Sequence, residues 1–271
     1  MSKKPVYRHI ENEKLVLSVY LILRLLVLIT MVAQMINRNY ENAFICVVTL
    51  FLFTAPAFVE NRFRVDLPDT LEIIVLLFIY AAEILGEIRE YYVTFHYWDT
   101  VLHTMNGFLF AALGFSLVNL LNENKKISMT LSPFYVALTA FCFSMTIGIL
   151  WEFFEWSMDY FVGTDMQKDT VLTAFQSVTL DPGGHNIPFH LTNISDTIVV
   201  FSDGSTKSLG LGGYLDVGLF DTMADLFVNF VGAVVFSVIG YFYIKNKGKG
   251  RFARHFIPEA VEVTEDDKSA E

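Results

Sequence analysis

Three long apolar segments of the chain carry acidic side chains near one end, and one of them also carries a histidine. In each segment the polar residues keep helical spacing, namely Asp99 and His103, Glu152 and Glu155, and Asp221 and Asp225. Steps of three or four place side chains on one face of a helix. A charge at bilayer depth costs about 2.5–3.5 kcal/mol on insertion scales, so such residues are usually paired or functional. The pattern indicates a polar site.

The residue types suggest two kinds of chemistry. Imidazole and carboxylate groups can bind a divalent metal ion, and a bound metal lowers the pKa of its water for hydrolysis or group transfer. Without a metal, a glutamate against an aromatic wall can act as a general acid or base. The expected metal ligands are His103, Asp99 and Asp221; the expected catalytic residues are Glu152, Glu155 and Asp225. The chain has no HExxH motif and no Gly-x-Ser-x-Gly elbow.

Some of these acids can also be explained as helix caps instead of site residues. Asp99 and Asp221 each open an apolar run, where aspartate is a favoured helix N-cap, so for Asp99 a cap and a site are equally supported. Glu152 and Glu155 lie near a helix C-terminus, where the macrodipole disfavours acids. Neither capping nor the dipole accounts for this pair, which therefore favours function.

Composition places the chain in a membrane. Of its 271 residues, 54% are hydrophobic and 18% are charged, and long apolar runs recur. The net charge is −10, and this acidic balance does not support nucleic-acid binding, which requires a basic stripe on the protein surface. We predict an all-α membrane domain over residues 1–271 with six spans of about 20 residues. They lie near 15–36, 43–59, 70–86, 100–121, 134–160 and 222–243.

The distribution of positive charge predicts the orientation, because cytoplasmic loops are enriched in Lys and Arg. With a cytoplasmic N-terminus, the outside carries only Arg38, Arg89, Lys168 and Lys207, while Arg24 lies inside the first span. The inside then carries Lys3, Lys4, Arg8, Lys14, Arg62, Arg64, Lys125, Lys126, Lys245, Lys247, Lys249, Arg251, Arg254 and Lys268. Both termini are therefore expected in the cytoplasm, with the polar site at the outer face.

One long connection, residues 161–219, is expected on the outside. Asp203-Gly204 separates two β-prone runs, a pattern typical of a β-hairpin turn. We therefore predict a small β-hairpin insertion in the last extracytoplasmic loop. The polar and acidic tail 259–271 is expected to be disordered.

Together these motifs resemble a known family. D-x-x-x-H opening one helix, W-E-F-x-E-W closing the next, D-M-Q-K-D, and D-T-x-x-D-L with Gly-Ala beyond are similar to the YjdF-type bacterial inner-membrane proteins, and more distantly to VanZ-like proteins. The resemblance covers roughly Trp98–Tyr243 and implies a bacterial inner-membrane location. It marks Asp99, His103, Glu152, Glu155, Gln167, Asp169, Asp221 and Asp225 as the family's polar positions. This chain departs from the shorter pattern by its insertion between Asp169 and Asp221.

Three functions fit these features. The first is a metal-dependent hydrolase or transferase acting on an outer-leaflet lipid or a cell-envelope precursor. The second is a cation or proton transporter or sensor, which the clustering of polar residues at one face disfavours. The third is a non-catalytic scaffold whose hairpin binds a partner. Membrane lipids are expected contacts in all three cases, and convergence of His103, Glu152 and Asp225 in one pocket is expected in the first.

Overall fold

The computed structural model describes residues 6–63, 65–123, 131–250, 252–257 and 259–260. Helices dominate these ranges. They are α1 (Val6–Ile36), α2 (Tyr40–Leu52), α3 (Ala55–Phe63), α4 (Asp69–Tyr80), α5 (Tyr91–Thr94), α6 (Trp98–Glu123), α7 (Pro133–Ser157) and α8 (Leu219–Lys245). Two π-helical segments, Ala81–Ile88 and Met158–Val162, continue α4 and α7.

Among the described residues, five helical stretches are long and apolar enough to cross a membrane: Lys14–Ile36, Tyr40–Arg62, Trp98–Asn119, Pro133–Val162 and Leu219–Lys245. The prediction of a multi-pass helical membrane protein is therefore confirmed at this level. The predicted span 70–86 is also helical, but it is not among the five. The difference is its charge. Any 18 consecutive residues of Asp69–Ile88 include three acidic residues, and charged residues are rare within segments that cross a bilayer.

The predicted second span, 43–59, contains a break at Phe53-Thr54 between α2 and α3. Pro56 has no N–H to donate to the carbonyl four residues earlier, so a regular helix cannot continue through it unchanged. The Thr54 hydroxyl instead donates to the carbonyl of Phe51 at 2.7 Å. The break therefore has a local cause that is visible in the sequence.

The chain forms two compact units, and the first comprises Met1–Gly148 and Phe227–Glu271. Its core has an aromatic centre, in which the ring of Phe108 lies 5.0 Å from Phe236 and 5.0 Å from Phe256, edge to face in both cases. Phe256 follows α8 and is buried here. The segment after the last helix is thus part of the core.

The C-terminal tail departs from the prediction over its first two residues. Instead of starting a disordered tail, Glu259 and Ala260 form strand β8, which pairs antiparallel with β1 (Val65–Asp66). The pairing gives hydrogen-bond partners to backbone N–H and C=O groups of both segments. Residues 261–271 of the predicted tail lie outside the described residues.

The second unit is Ile149–Leu226, which contains the end of α7, the insertion and the start of α8. Its strands are β2 (Asp169–Leu172), β3 (Phe175–Ser177), β4 (Phe189–Leu191), β5 (Ile198–Val200), β6 (Thr206–Ser208) and β7 (Tyr214–Val217). They form three antiparallel pairs, β2 with β7, β3 with β4 and β5 with β6. Asp203-Gly204 lies in the β5–β6 turn, and Gly204 has a φ of +84°, which glycine adopts without steric cost.

Candidate functional site

The first unit brings one predicted pair of site residues together. Asp99 and His103 lie in the first two turns of α6, and His103 Nε2 is 3.4 Å from Asp99 Oδ1. The His103 side chain is 8% exposed and that of Asp99 is 28% exposed. A carboxylate facing an imidazole can orient the ring for metal binding or stabilise its protonated form. The pair therefore has the geometry of a functional unit as well as the helical spacing.

One turn further along α6 from His103, the backbones of α6 and α8 pack with almost no space between them. A Cβ atom on Gly107 would lie 2.0 Å from the carbonyl oxygen of Asn229, and one on Gly232 would lie 2.0 Å from that of Thr104. Only glycine fits at such approaches, which are typical of tightly packed membrane helices. The close packing leaves α6 and α8 little freedom to slide past each other here.

Polar contacts join the same helices to α7. Asn106 Nδ2 donates to Asn229 Oδ1 at 3.1 Å, and Ser144 Oγ donates to the carbonyl of Gly107 at 2.7 Å. A Cβ on Gly148 would lie 2.6 Å from Asn229 Nδ2. Asn106 and Asn229, which the sequence places on the polar faces of α6 and α8, are therefore packing residues that join three helices.

Three of the buried acids in the second unit are predicted site residues. Glu152 is 4% exposed, Glu155 is 8% exposed and Asp225 is 4% exposed. Their apolar neighbours Phe153 and Trp156, in contrast, are 61% and 50% exposed. The helices thus turn carboxylates inward and aromatic rings outward, the arrangement that a lipid environment favours.

Glu155 has a specific partner. The indole Nε1 of Trp151, one turn earlier on α7, donates to Glu155 Oε1 at 2.8 Å. The sequence pattern does not predict this hydrogen bond. Its ring is partly exposed while its N–H holds the carboxylate, so Trp151 can orient Glu155.

A short connection after α7 is held by the carboxylate of Asp159. This carboxylate accepts hydrogen bonds from the Thr164 hydroxyl at 2.8 Å and from the backbone N–H groups of Met166 and Gln167 at 2.7 and 2.8 Å. Gln167 Nε2 also donates to the Thr222 hydroxyl in the first turn of α8. Within the second unit, these bonds connect the end of α7 to the beginning of α8.

The acids at the start of α8 also bind backbone groups. Asp221 Oδ2 accepts from the N–H of Lys168 at 2.7 Å, and Asp216 Oδ2 accepts from the N–H of Phe220 at 2.9 Å. The sequence suggested Asp221 as the cap of this helix. α8 begins two residues earlier, at Leu219, so Asp216 takes the capping role. Asp169, a position implied by the family resemblance, begins β2 opposite Val217.

Sequence reasoning missed Asp159 and Asp216. Neither residue is among the predicted site residues. Both contributions depend on the path of the connecting loop, which no local pattern specifies. The nearest available signal is the positive-φ Gly163 shortly after Asp159, since such a glycine commonly ends a helix and reverses the chain.

Comparison with known protein families gives a match over most of the chain. The model of the family described as "Predicted membrane protein (DUF2238)" matches residues 19–246, which include every residue of the predicted site. The chain belongs to this family. The YjdF-type resemblance is confirmed, because the YjdF-type family is the DUF2238 family. No curated protein and no solved structure matches the chain.

Membership carries no reaction with it, because the family is described only as a predicted membrane protein. The VanZ-like relationship stays a prediction. The metal-ligand roles of Asp99, His103 and Asp221 and the catalytic roles of Glu152, Glu155 and Asp225 also stay predictions. What the described residues establish is that His103, Glu152, Glu155 and Asp225 are buried in a membrane protein.

Proposed function

We propose that this protein is a metal-dependent hydrolase or transferase that acts on an outer-leaflet lipid or a lipid-linked cell-envelope precursor. The observation that carries the proposal is the burial of three carboxylates, Glu152, Glu155 and Asp225, while the aromatic neighbours Phe153 and Trp156 face outward. Burying ionisable groups in a membrane protein is costly and is seldom retained without a function.

The residues have distinct roles in this proposal. Asp99 and His103 supply a carboxylate and an imidazole ligand to a divalent ion, whose chemistry would be to activate water or to polarise an ester or phosphoester oxygen. Glu152, Glu155 and Asp225 transfer protons to and from the reacting group. The proposal includes the sequence-based prediction that these residues share one site, and that convergence stays a prediction.

Packing in the first unit disfavours the alternative of transport. Beyond Asn229, the buried positions of α8 are Gly232, Ala233, Phe236, Ser237 and Gly240. None of them is ionisable, and Phe236 packs against the rings of Phe108 and Phe115. A cation or proton route needs successive polar groups along its length. Along this face of α8, the polar residues are therefore followed by small and aromatic residues that do not form such a route.

Amide variants test the roles of the acids. Glu152→Gln and Asp225→Asn keep the shape and hydrogen-bonding reach of the acids while removing the charge, and a buried neutral amide costs less than a buried ion. We expect thermal stability in detergent to stay level or to rise. The cellular function of the protein should fall, because these acids transfer the protons in this proposal.

The control is Glu41→Gln, which changes an exposed acid in the first turn of α2 and should alter neither property. If both site variants unfold and function merely follows the amount of folded protein, the acids form a structural network. The catalytic assignment would then have to be withdrawn.

The proposal also includes six spans, with both termini in the cytoplasm of a bacterial inner membrane. The sixth span would be Asp69–Ile88, in which α4 and the π-helical segment together make one continuous helical stretch. A cysteine at Gly204, in a chain without Cys46 and Cys142, should react with an impermeant thiol reagent on intact cells. A cysteine at Gly248 should remain unlabelled; labelling there from outside would reverse the orientation.

A further inference from the structure

The β5–β6 hairpin exposes apolar side chains to an unusual degree. Every residue from Ile198 to Ser208 is exposed, and Ile198 and Val200 retain 62% and 69% of their accessible surface. A two-stranded sheet of this size is at best marginally stable in water by itself. An additional surface that covers the hairpin would stabilise it.

The register divides the hairpin into two different faces. Ile198 pairs with Ser208 and Val200 pairs with Thr206, while Val199 pairs with Lys207 between them. Successive side chains of a strand point to opposite faces. One face therefore combines two aliphatic residues with two hydroxyl residues, and the other face carries the Lys207 ammonium. The Ser208 hydroxyl, at the base of the first face, donates to the Asp196 carboxylate.

Hydrogen bonds tie the base of the hairpin to the strand that leads into α8. The Thr197 hydroxyl donates to the carbonyl of Gly213 at 2.8 Å and accepts from the N–H of Leu215 at 2.9 Å. Leu219, where α8 begins, is four positions after Leu215. Such a length of chain spans at most about 14 Å, so the hairpin base lies within reach of the membrane surface at the start of α8.

Exposed apolar residues continue along this connection. Val217, Leu219 and Phe220 are 77%, 63% and 52% exposed, and the last two belong to the membrane-spanning segment Leu219–Lys245. The lipid-facing surface of α8 is therefore continuous along the chain with the strand to which the hairpin is bonded.

We propose that the β5–β6 hairpin docks on the bilayer surface, with the face formed by Ile198, Val200, Thr206 and Ser208 turned toward lipid. Its apolar side chains enter the interfacial region next to the start of α8, where burial of apolar surface stabilises them. Asp203 and Lys207 cancel, and Asp196, which is bonded to the hairpin base, adds one negative charge, so attraction to anionic headgroups does not contribute to docking.

Fluorescence quenching tests this docking. In the full-length chain with Cys46→Ser and Cys142→Ser, Val200→Cys is labelled with an environment-sensitive dye. The protein is reconstituted into phosphatidylcholine vesicles whose acyl chains carry a nitroxide near the headgroup. The matched control is Lys207→Cys, which is exposed on the other face of the same hairpin. We expect a blue-shifted, strongly quenched dye at position 200 and weak quenching at position 207.

Two results would overturn the proposal. Equal, weak quenching at both positions would show that the hairpin stands free in water. Spontaneous disulfide formation between chains of the unlabelled Val200→Cys variant, without quenching of its labelled form, would show that a second copy covers this face instead of lipid.

Discussion

Two Asp-x-x-x-His pairs in this chain have the same spacing and very different surroundings. His103 Nε2 lies 3.4 Å from Asp99 on helix α6, whereas His185 Nδ1 lies 4.0 Å from Asp181 in a turn of the insertion. The His103 side chain is 8% exposed and the His185 side chain is 73% exposed. Burial of the histidine, and not spacing, separates the two pairs, because Asp181 is itself only 14% exposed.

The acids of the two pairs also have different neighbours. The carboxylate of Asp181 accepts hydrogen bonds from the backbone N–H groups of Gly183 and His185, at 3.0 and 2.8 Å. This is the usual role of an aspartate that closes a turn. Asp99 instead faces a buried imidazole. The comparison teaches that spacing alone does not make a candidate site, and that the burial of the imidazole distinguishes the first pair.

Tight helix packing supports the first pair, and removing that packing should have the largest effect. In Gly107→Ala the new Cβ would lie 2.0 Å from the carbonyl oxygen of Asn229, so the backbones of α6 and α8 must separate. Overpacking of this kind typically costs about 1–3 kcal/mol, and a backbone clash places the variant at the upper end. Thermal unfolding in detergent should show a clearly lowered midpoint.

Gly184→Ala is the matched change beside the second pair. Gly184 has a φ of +65°, and a Cβ there would meet no atom within 4 Å. Only the left-handed backbone disfavours alanine, at a cost of about 1–2 kcal/mol that is confined to an exposed turn. The midpoint of global unfolding should therefore change little. An equal fall in the unfolding midpoint of both variants would show that the two Asp–His pairs do not differ in how tightly their surroundings are packed.

Acid should loosen the insertion by a smaller amount. The Ser208 hydroxyl, together with the N–H groups of Thr197, Gly210 and Leu211, holds the pKa of Asp196 below its usual value. A lowered folded-state pKa means that the contribution of Asp196 to stability is present above the unfolded pKa of about 3.9, and is lost as pH falls through the folded value.

Hydrogen exchange at Gly210 and Leu211, corrected for the intrinsic pH dependence, measures this loosening. Protection of these amides should fall as the pH drops below about 4. In Asp196→Asn it should already be reduced at neutral pH and should show little further change in acid. Protection that is independent of pH in the wild type would mean that the carboxylate does not hold this turn.

Local patterns predicted the features that depend on neighbouring residues. Apolar length predicted the helices, Asp-Gly predicted the β5–β6 turn, and helical spacing predicted that Asp99 would face His103. Contacts between distant segments were not predictable in this way. The burial of Phe256 against Phe108 and the pairing of Glu259 with Asp66 join segments more than 140 residues apart. The residue pattern within one segment does not indicate which distant segment it will contact.

The central claim of the proposal is that Asp99–His103, whose imidazole is buried, binds metal and that Asp181–His185, whose imidazole is exposed, does not. The most direct test is the metal content of purified protein after equilibration with Mn²⁺ or Zn²⁺, for the wild type, His103→Ala and His185→Ala, each checked for folding. The account predicts a stoichiometric ion in the wild type and in His185→Ala, and its loss in folded His103→Ala. Equal metal content in all three proteins, or none in the wild type, would contradict it.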